Sequence, residues 1–226
     1  MSEGHTSEER LDTAHEHWDD WWKEAKQRSR WSEAEKSVTG LMPALKARGA
    51  ERVLDVGTGI GRHALAYARF GFDVTAIDAS PTGLDQLVES ASAENLSVDV
   101  RLSTFSILPL EDESVDHVLA WNVLYHGDGE VVTAALRECR RVLRPAGTFQ
   151  LTMLSKRHRA YRVGHQVRAD TYVDEASKGD KEHPHFYIDS VALTRRLRDA
   201  GFEVLSIEDV DQDGERAFHW VVLAES

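Results

Sequence analysis

The chain has 226 residues, of which 41% are hydrophobic and 29% charged, enough for one domain with a full core and too apolar for wholesale disorder. Its formal net charge of −12 repels phosphate backbones and anionic lipid, so neither nucleic acid nor a membrane is expected as a partner. Cys139 is the one cysteine and can form no internal disulfide, and no leader or spanning segment is read in the polar N-terminus, so the cytoplasm is the expected compartment.

Thr6 and Glu9 have capping-box spacing and predict a helix from about Ser7 to Arg28, with Leu11, His15, Trp18 and Trp22 on one face. Ser32 and Glu35 repeat the spacing and predict a second helix ending before Gly49. These elements, residues 1–48, are read as a helical cap on one compact unit, residues 49–226. From Arg52 onward strands and helices alternate. RVLDV is a short buried strand, GRHALAYARF a helix closed by Gly71, and FDVTAI a strand. Ser80 caps and Pro81 starts the next helix. Leu96–Leu102 and VDHVLAW read as strands, Asp128 caps a helix to about Leu143, and Pro145 and Gly147 turn the chain into TFQLTML. Residues 155–187 read as a long polar insertion of weak periodicity. Asp189 then caps a helix closed by Gly201, and two final strands form a hairpin through DQDG. Such alternation implies a mostly parallel sheet covered on both faces.

The most informative segment is VLDVGTGIGRH, a buried strand running into a glycine-rich turn and a helix. Ligands of open α/β sheets bind at the carboxyl ends of strands, and Gly57, Gly59 and Gly61 let the backbone turn sharply and approach one closely. Asp78 ends the second strand, where a carboxylate can accept from both hydroxyls of a ribose. The pair reads as a nucleoside site. A dinucleotide would call for Gly-x-Gly-x-x-Gly, whereas the spacing here is Gly-x-Gly-x-Gly and position 62 is Arg. An acid two residues before the first glycine also suits a ligand with a positive amino group.

These residues resemble the class I S-adenosylmethionine-dependent methyltransferases. That family's first motif stands here as Asp55, Gly57, Gly59 and Gly61, and its acidic ribose ligand as Asp78. Leu108, Pro109 and Leu110 match its segment after the third strand, DESVDHVLAWNVLYHG its fourth-strand motif, and LRPAGTF its turn before the fifth strand. The resemblance covers Val53–Leu154 and implies a Rossmann-like seven-stranded, mostly parallel α/β sheet with an antiparallel C-terminal strand, helices on both faces and an N-terminal helical lid. It implies S-adenosyl-L-methionine as cofactor, S-adenosyl-L-homocysteine as product, and contacts from Asp55, Gly57, Thr58, Gly59, Gly61, Asp78, Ala79, Thr104, Phe105, Asn122 and Trp31. Where many relatives have an acid for the adenine amino group, Thr104 stands here, followed by Phe105.

In-line methyl transfer demands alignment and exclusion of water, and a base only if the acceptor must lose a proton. His126, beside the methyl group by resemblance, is read as a base or as a structural histidine. His183, His185 and Tyr187 lie in KEHPHFYID, a segment similar to one in tellurite-resistance-type methyltransferases. His185 or Tyr187 lines the acceptor pocket in one reading and belongs to an ordered loop in the other. The His-x-His pair lacks a third ligand of recognisable spacing, so no metal is expected. Lys156, Arg157, Arg159, Arg162 and Arg168 either attract an anionic acceptor or form a solvated loop. The tryptophans Trp18, Trp21, Trp22 and Trp31 either pack a helix or close over the cofactor. The expectation is methylation of a small molecule by a monomer or homodimer. A protein acceptor, or a module that binds the cofactor without turnover, remains the alternative.

Overall fold

Short aliphatic runs bounded by glycine turns become the parallel centre of the sheet. The computed structural model describes residues 11–226 except 12, 30 and 178. Strands β1 (Arg52–Val56), β2 (Asp73–Asp78), β3 (Asp99–Leu102), β4 (Val115–Ala120) and β5 (Leu143–Ser155) pair in parallel in the order β3-β2-β1-β4-β5. β10 (Phe218–Glu225) runs antiparallel to β5, and β9 (Glu203–Asp211) antiparallel to β10. Those seven strands are the expected sheet.

Three helices follow their predicted caps, and α5 (Arg62–Arg69) runs within the predicted GRHALAYARF segment. α6 (Pro81–Ala93) starts where Ser80 Oγ accepts from the Gly83 amide. Asp128 accepts from Glu130 and Val131 at the start of α7 (Gly129–Val142), and Asp189 from Ala192 at the start of α8 (Ser190–Asp199). Two apolar clusters flank the sheet. Leu136, Val142, Leu193 and Leu197 of α7 and α8 pack on one. Ala64, Leu65, Leu87 and Ala91 of α5 and α6 pack on the other, together with Val38, Met42 and Leu45 from the short helices α3 (Lys36–Thr39) and α4 (Met42–Ala47). Each side chain of this kind contributes about 1.5–3 kcal/mol when buried.

Three expectations need correction. The predicted N-terminal helix is two helices, α1 (Ala14–Trp22) and α2 (Ala25–Ser29), because the Arg28 guanidinium takes the Trp22 carbonyl at 2.6 Å and so ends α1. The Thr6–Glu9 cap lies outside the described residues. Ser32 caps nothing: its hydroxyl donates to the Ser29 carbonyl, and α3 starts after Glu35 without a side-chain cap.

The polar insertion is ordered as strands. β6 (His165–Arg168) pairs with β7 (Thr171–Val173), and β7 with β8 (His185–Ile188), all antiparallel. β8 then runs parallel beside Leu154 and Ser155, taking the edge of β5 that β4 leaves after Ala120. The sheet therefore has ten strands. The turn at Pro145–Gly147 survives as an irregularity in β5, where the pairing with β4 slips between Val115 and His117.

Candidate active site

The bend between β1 and α5 leaves the sheet beside β4, where strand order reverses and open α/β sheets place their ligands. A cavity opens there. Its wall includes Gly57, Thr58 and Gly59 from the bend, Asp78 and Ala79 from the end of β2, and Thr104 and Phe105 from beyond β3. Asn122 and His126 from beyond β4 complete one end, and Trp18, Trp22 and Trp31 close the top.

The three glycines differ in what they do. All have positive φ, but Gly57 and Gly59 face the cavity whereas Gly61 lies behind its wall. A Cβ on Gly57 would stand 2.2 Å from Val123 Cγ2, and one on Gly61 2.2 Å from Leu87 Cδ1. Gly59 lies under the Trp22 indole. Asp55 also stands behind the wall, 1% exposed, accepting the Thr58 hydroxyl at 2.7 Å. Burial raises its carboxyl to about 7.

Asp78 accepts the Gly59 amide on Oδ2 at 2.7 Å and the Ser80 amide on Oδ1 at 2.8 Å. Burial raises its pKa against those two donors. Each oxygen has a second lone pair, which leaves one acceptor for each hydroxyl of a ribose. Asn122 sits in the left-handed region at φ 57°, a conformation that asparagine tolerates, and Thr152 holds it through both its amide and its side-chain oxygen.

α1 forms the roof. Trp18 stacks on Trp22 at 5.3 Å and meets Trp31 edge-on at 5.5 Å. Asp19 accepts the Ser80 hydroxyl and the Thr82 amide, tying α1 to the start of α6. Arg62 also lines the cavity, its guanidinium over Trp31 at 4.9 Å and 3.2 Å from Glu35. Trp121 lines the cavity as well, in the stretch past β4 that the resemblance puts beside the methyl group. Arg62 and His63 were not singled out as site residues from the sequence; a charge directly after the glycine bend was the available signal for Arg62.

The sequence candidates for the acceptor side separate. His126 lines the cavity; burial keeps it below its usual pKa, against the pull of Asp180. His185 is fully buried behind it, the two rings edge-to-face at 4.8 Å. Tyr187, 1% exposed, packs with His158, Tyr161 and Tyr172 away from the cavity wall, and burial pushes its hydroxyl up. The basic insertion is largely neutralised: Lys156 pairs with Asp170, Arg157 with Asp209 and Arg159 with Asp213.

The cavity suits S-adenosylmethionine. Trp18 and Trp121 line it, and their indole N–H groups are buried with no hydrogen-bond partner among the described residues. With Arg62 they are donors for a carboxylate, while Asp78 offers acceptors for a diol. The sequence matches a family model described as a methyltransferase domain over residues 53–147. The chain is 33% identical over 171 residues to the ubiquinone biosynthesis O-methyltransferase of Xanthomonas euvesicatoria pv. vesicatoria, covering 74% of this chain and 66% of that protein. It is 35% identical over 127 residues to an uncharacterised methyltransferase of Mycobacterium bovis, covering 56% and 48%.

The chain belongs to the class I S-adenosylmethionine-dependent methyltransferases. It spans 40–66% of the length of the first curated relatives it matches. Among solved structures, the fold matches Burkholderia thailandensis 1,6-didemethyltoxoflavin-N1-methyltransferase, bound to 1,6-didemethyltoxoflavin and S-adenosylhomocysteine. The TM-score is 0.69 at 21% identity, over 95% of this chain and 88% of that one. The methyltransferase fold expected from the glycine bend and the strand order is the one observed. S-adenosylmethionine is the methyl donor of the family.

Proposed function

We propose that this chain transfers a methyl group from S-adenosylmethionine to a small-molecule acceptor. The observation that carries this reading is the closure of the cavity. Trp18, Trp22 and Trp31 roof a site already walled by the glycine bend, which suits a compact acceptor better than an extended chain. The Xanthomonas ubiquinone biosynthesis O-methyltransferase and the Burkholderia 1,6-didemethyltoxoflavin-N1-methyltransferase that shares the chain's fold point the same way.

The residues divide the work. Asp78 takes the ribose hydroxyls; Thr104 and Phe105 flank the adenine. Asp55, one layer behind Thr58, supplies negative charge when an ammonium draws off its proton, and Arg62 supplies positive charge toward a carboxylate. When bound, S-adenosylmethionine supplies an electrophilic methyl on a sulfonium. The protein's part is then alignment and exclusion of water, which the aromatic roof performs. His126 stands at the acceptor end with a ring lone pair, since burial keeps it uncharged.

A mass-spectrometric screen of small-molecule pools with isotopically labelled donor tests this reading. A labelled small product that requires Asp78 is expected. Label appearing only on added proteins would overturn the small-molecule assignment, and no label on any acceptor would favour a binding module without turnover.

A further inference from the structure

Behind the cavity, two histidines and a carboxylate converge in a way that methyl transfer does not explain. His126 and His185 face each other across an isolated antiparallel bridge. The Gly127 amide donates to the Pro184 carbonyl at 3.0 Å, and the Phe186 amide to the Tyr125 carbonyl at 2.9 Å. These backbone bonds fix the two imidazoles in register. Asp180, in the 3-10 turn Asp180–Glu182, brings Oδ2 to 3.2 Å from His185 Nε2 and 3.8 Å from His126 Nε2. The three donor atoms lie within 4.8 Å of one another.

The protonation pattern is what makes the cluster informative. His185 Nδ1 lies 2.8 Å from the His183 carbonyl, which can only accept, so Nδ1 carries the proton. In the neutral ring Nε2 is then a bare lone pair pointing at another lone-pair bearer, the Asp180 carboxylate. His126 Nε2 is buried and has no hydrogen-bond partner among the described residues. Two imidazoles and a carboxylate thus bring their donor atoms together around one point.

We propose that His126, His185 and Asp180 bind a divalent first-row transition metal ion of the zinc class. Two imidazoles and one carboxylate are a borderline donor set that suits zinc, cobalt or iron better than magnesium or calcium. Donors about 2.1 Å from a tetrahedral ion sit roughly 3.4 Å apart, so the two spacings to Asp180, 3.2 and 3.8 Å, lie close to that value and the widest pair, within 4.8 Å, must draw in by about 1.4 Å at most. The Nδ1–H to carbonyl bond of His185 is the outer contact that orients metal-binding imidazoles and fixes their tautomer. Lys181 Nζ is the competing cation, 3.3 Å from the same Asp180 oxygen. Its long stem allows it to yield that oxygen, and the Tyr125 ring, 5.9 Å away, offers it a second neighbour.

Three protein ligands leave the ion at least one open position. His126 lines the cofactor cavity, so that position faces the acceptor end. This last step rests on the methyltransferase reading; the metal site itself does not. An oxygen or sulfur of an acceptor bound there would be acidified by the ion.

The test uses the full chain, stripped of metal with a chelator and free of S-adenosylmethionine. Cobalt(II) is titrated in and followed by visible absorption and calorimetry. One equivalent is expected to bind at ~1 µM or tighter, with the intense ligand-field bands of a four- or five-coordinate ion. Asp180→Asn and His126→Gln should each weaken binding by about tenfold or more. Thermal unfolding and circular dichroism report whether each variant is folded. The proposal is overturned if the wild-type protein shows only the weak six-coordinate spectrum of cobalt in buffer. It is equally overturned if a folded variant loses less than about tenfold in affinity. Neither readout involves methyl transfer, so failure of the metal site and failure of the proposed activity are separable.

Discussion

Burial raises the Asp55 carboxyl from 3.8 to about 7, and that shift makes stability depend on pH. The folded state holds a proton that the unfolded chain releases near pH 4. Between about pH 4 and pH 7 the folded state therefore binds more protons, and its stability falls as pH rises. Asp55→Asn keeps an oxygen for the Thr58 hydroxyl but never ionises. The variant's melting temperature should exceed that of the wild type by a margin that grows from about pH 4 to pH 7 and then levels off. A difference that stays flat across this window, in thermal melts without ligand, would show that Asp55 is not neutral in the fold. Cofactor affinity should move the other way, since an ammonium loses its facing charge.

Asp78 is the opposite case, a carboxylate already holding two amides and still offering two acceptors. Hydrogen bonds to charged groups contribute about 1.5–3 kcal/mol each, so Asp78→Ala should raise the Kd for S-adenosylmethionine by about 100-fold or more. Calorimetric titration checks this, with Asp78→Asn as a milder companion. At this scale the sequence was legible where chemistry depends on neighbours in the chain. The glycine bend and the acid ending β2 could be read directly. That Gly61 packs under Leu87 while Gly57 and Gly59 face the cavity could not, because Leu87 lies in a different helix.

Among elements, α1 is held by the capping of α6. Asp19 accepts the Ser80 hydroxyl, and that same oxygen accepts the Gly83 amide, so one serine serves both helices. Asp19→Ala should loosen the roof without removing the apolar contacts of Trp22, which is 5% exposed. About a tenfold rise in the Kd for S-adenosylmethionine is expected, with the melting temperature lowered by only a few degrees. Unchanged affinity with a large loss of stability would make α1 part of the core and not a lid.

The helices α5 to α8 were legible because their caps are local, and the strands β1, β2 and β4 because they are short apolar runs. β6, β7 and β8 were not. β6 is polar and β7 and β8 are only three and four residues long, and what orders them is pairing with β5 and with each other, a long-range effect invisible in a periodicity window. The metal-type cluster was hidden for the same reason: Asp180 and His126 lie in separate segments, brought together beside the isolated bridge between His126 and His185.

For the whole molecule, the sheet order places the ligand between its two halves, against β1 and under α1 at once. A ligand bridging the bend, the end of β2 and the roof binds the folded state alone and should stabilise all of it. At about 100 times its Kd such a ligand adds about 2.7 kcal/mol, roughly 5–10 °C for a domain of this size. S-adenosylmethionine and S-adenosylhomocysteine should both produce that shift, and Asp78→Ala should abolish most of it. NAD should produce none, because the spacing Gly57-x-Gly59-x-Gly61 followed by Arg62 lacks the third glycine of a dinucleotide bend. A larger shift with NAD would remove the cofactor assignment while leaving the fold intact. Hydrogen exchange adds the spatial half of the argument. If the roof closes on the ligand, amides of α1 should gain protection together with those of the glycine bend, whereas a ligand held by the sheet alone would protect only the bend.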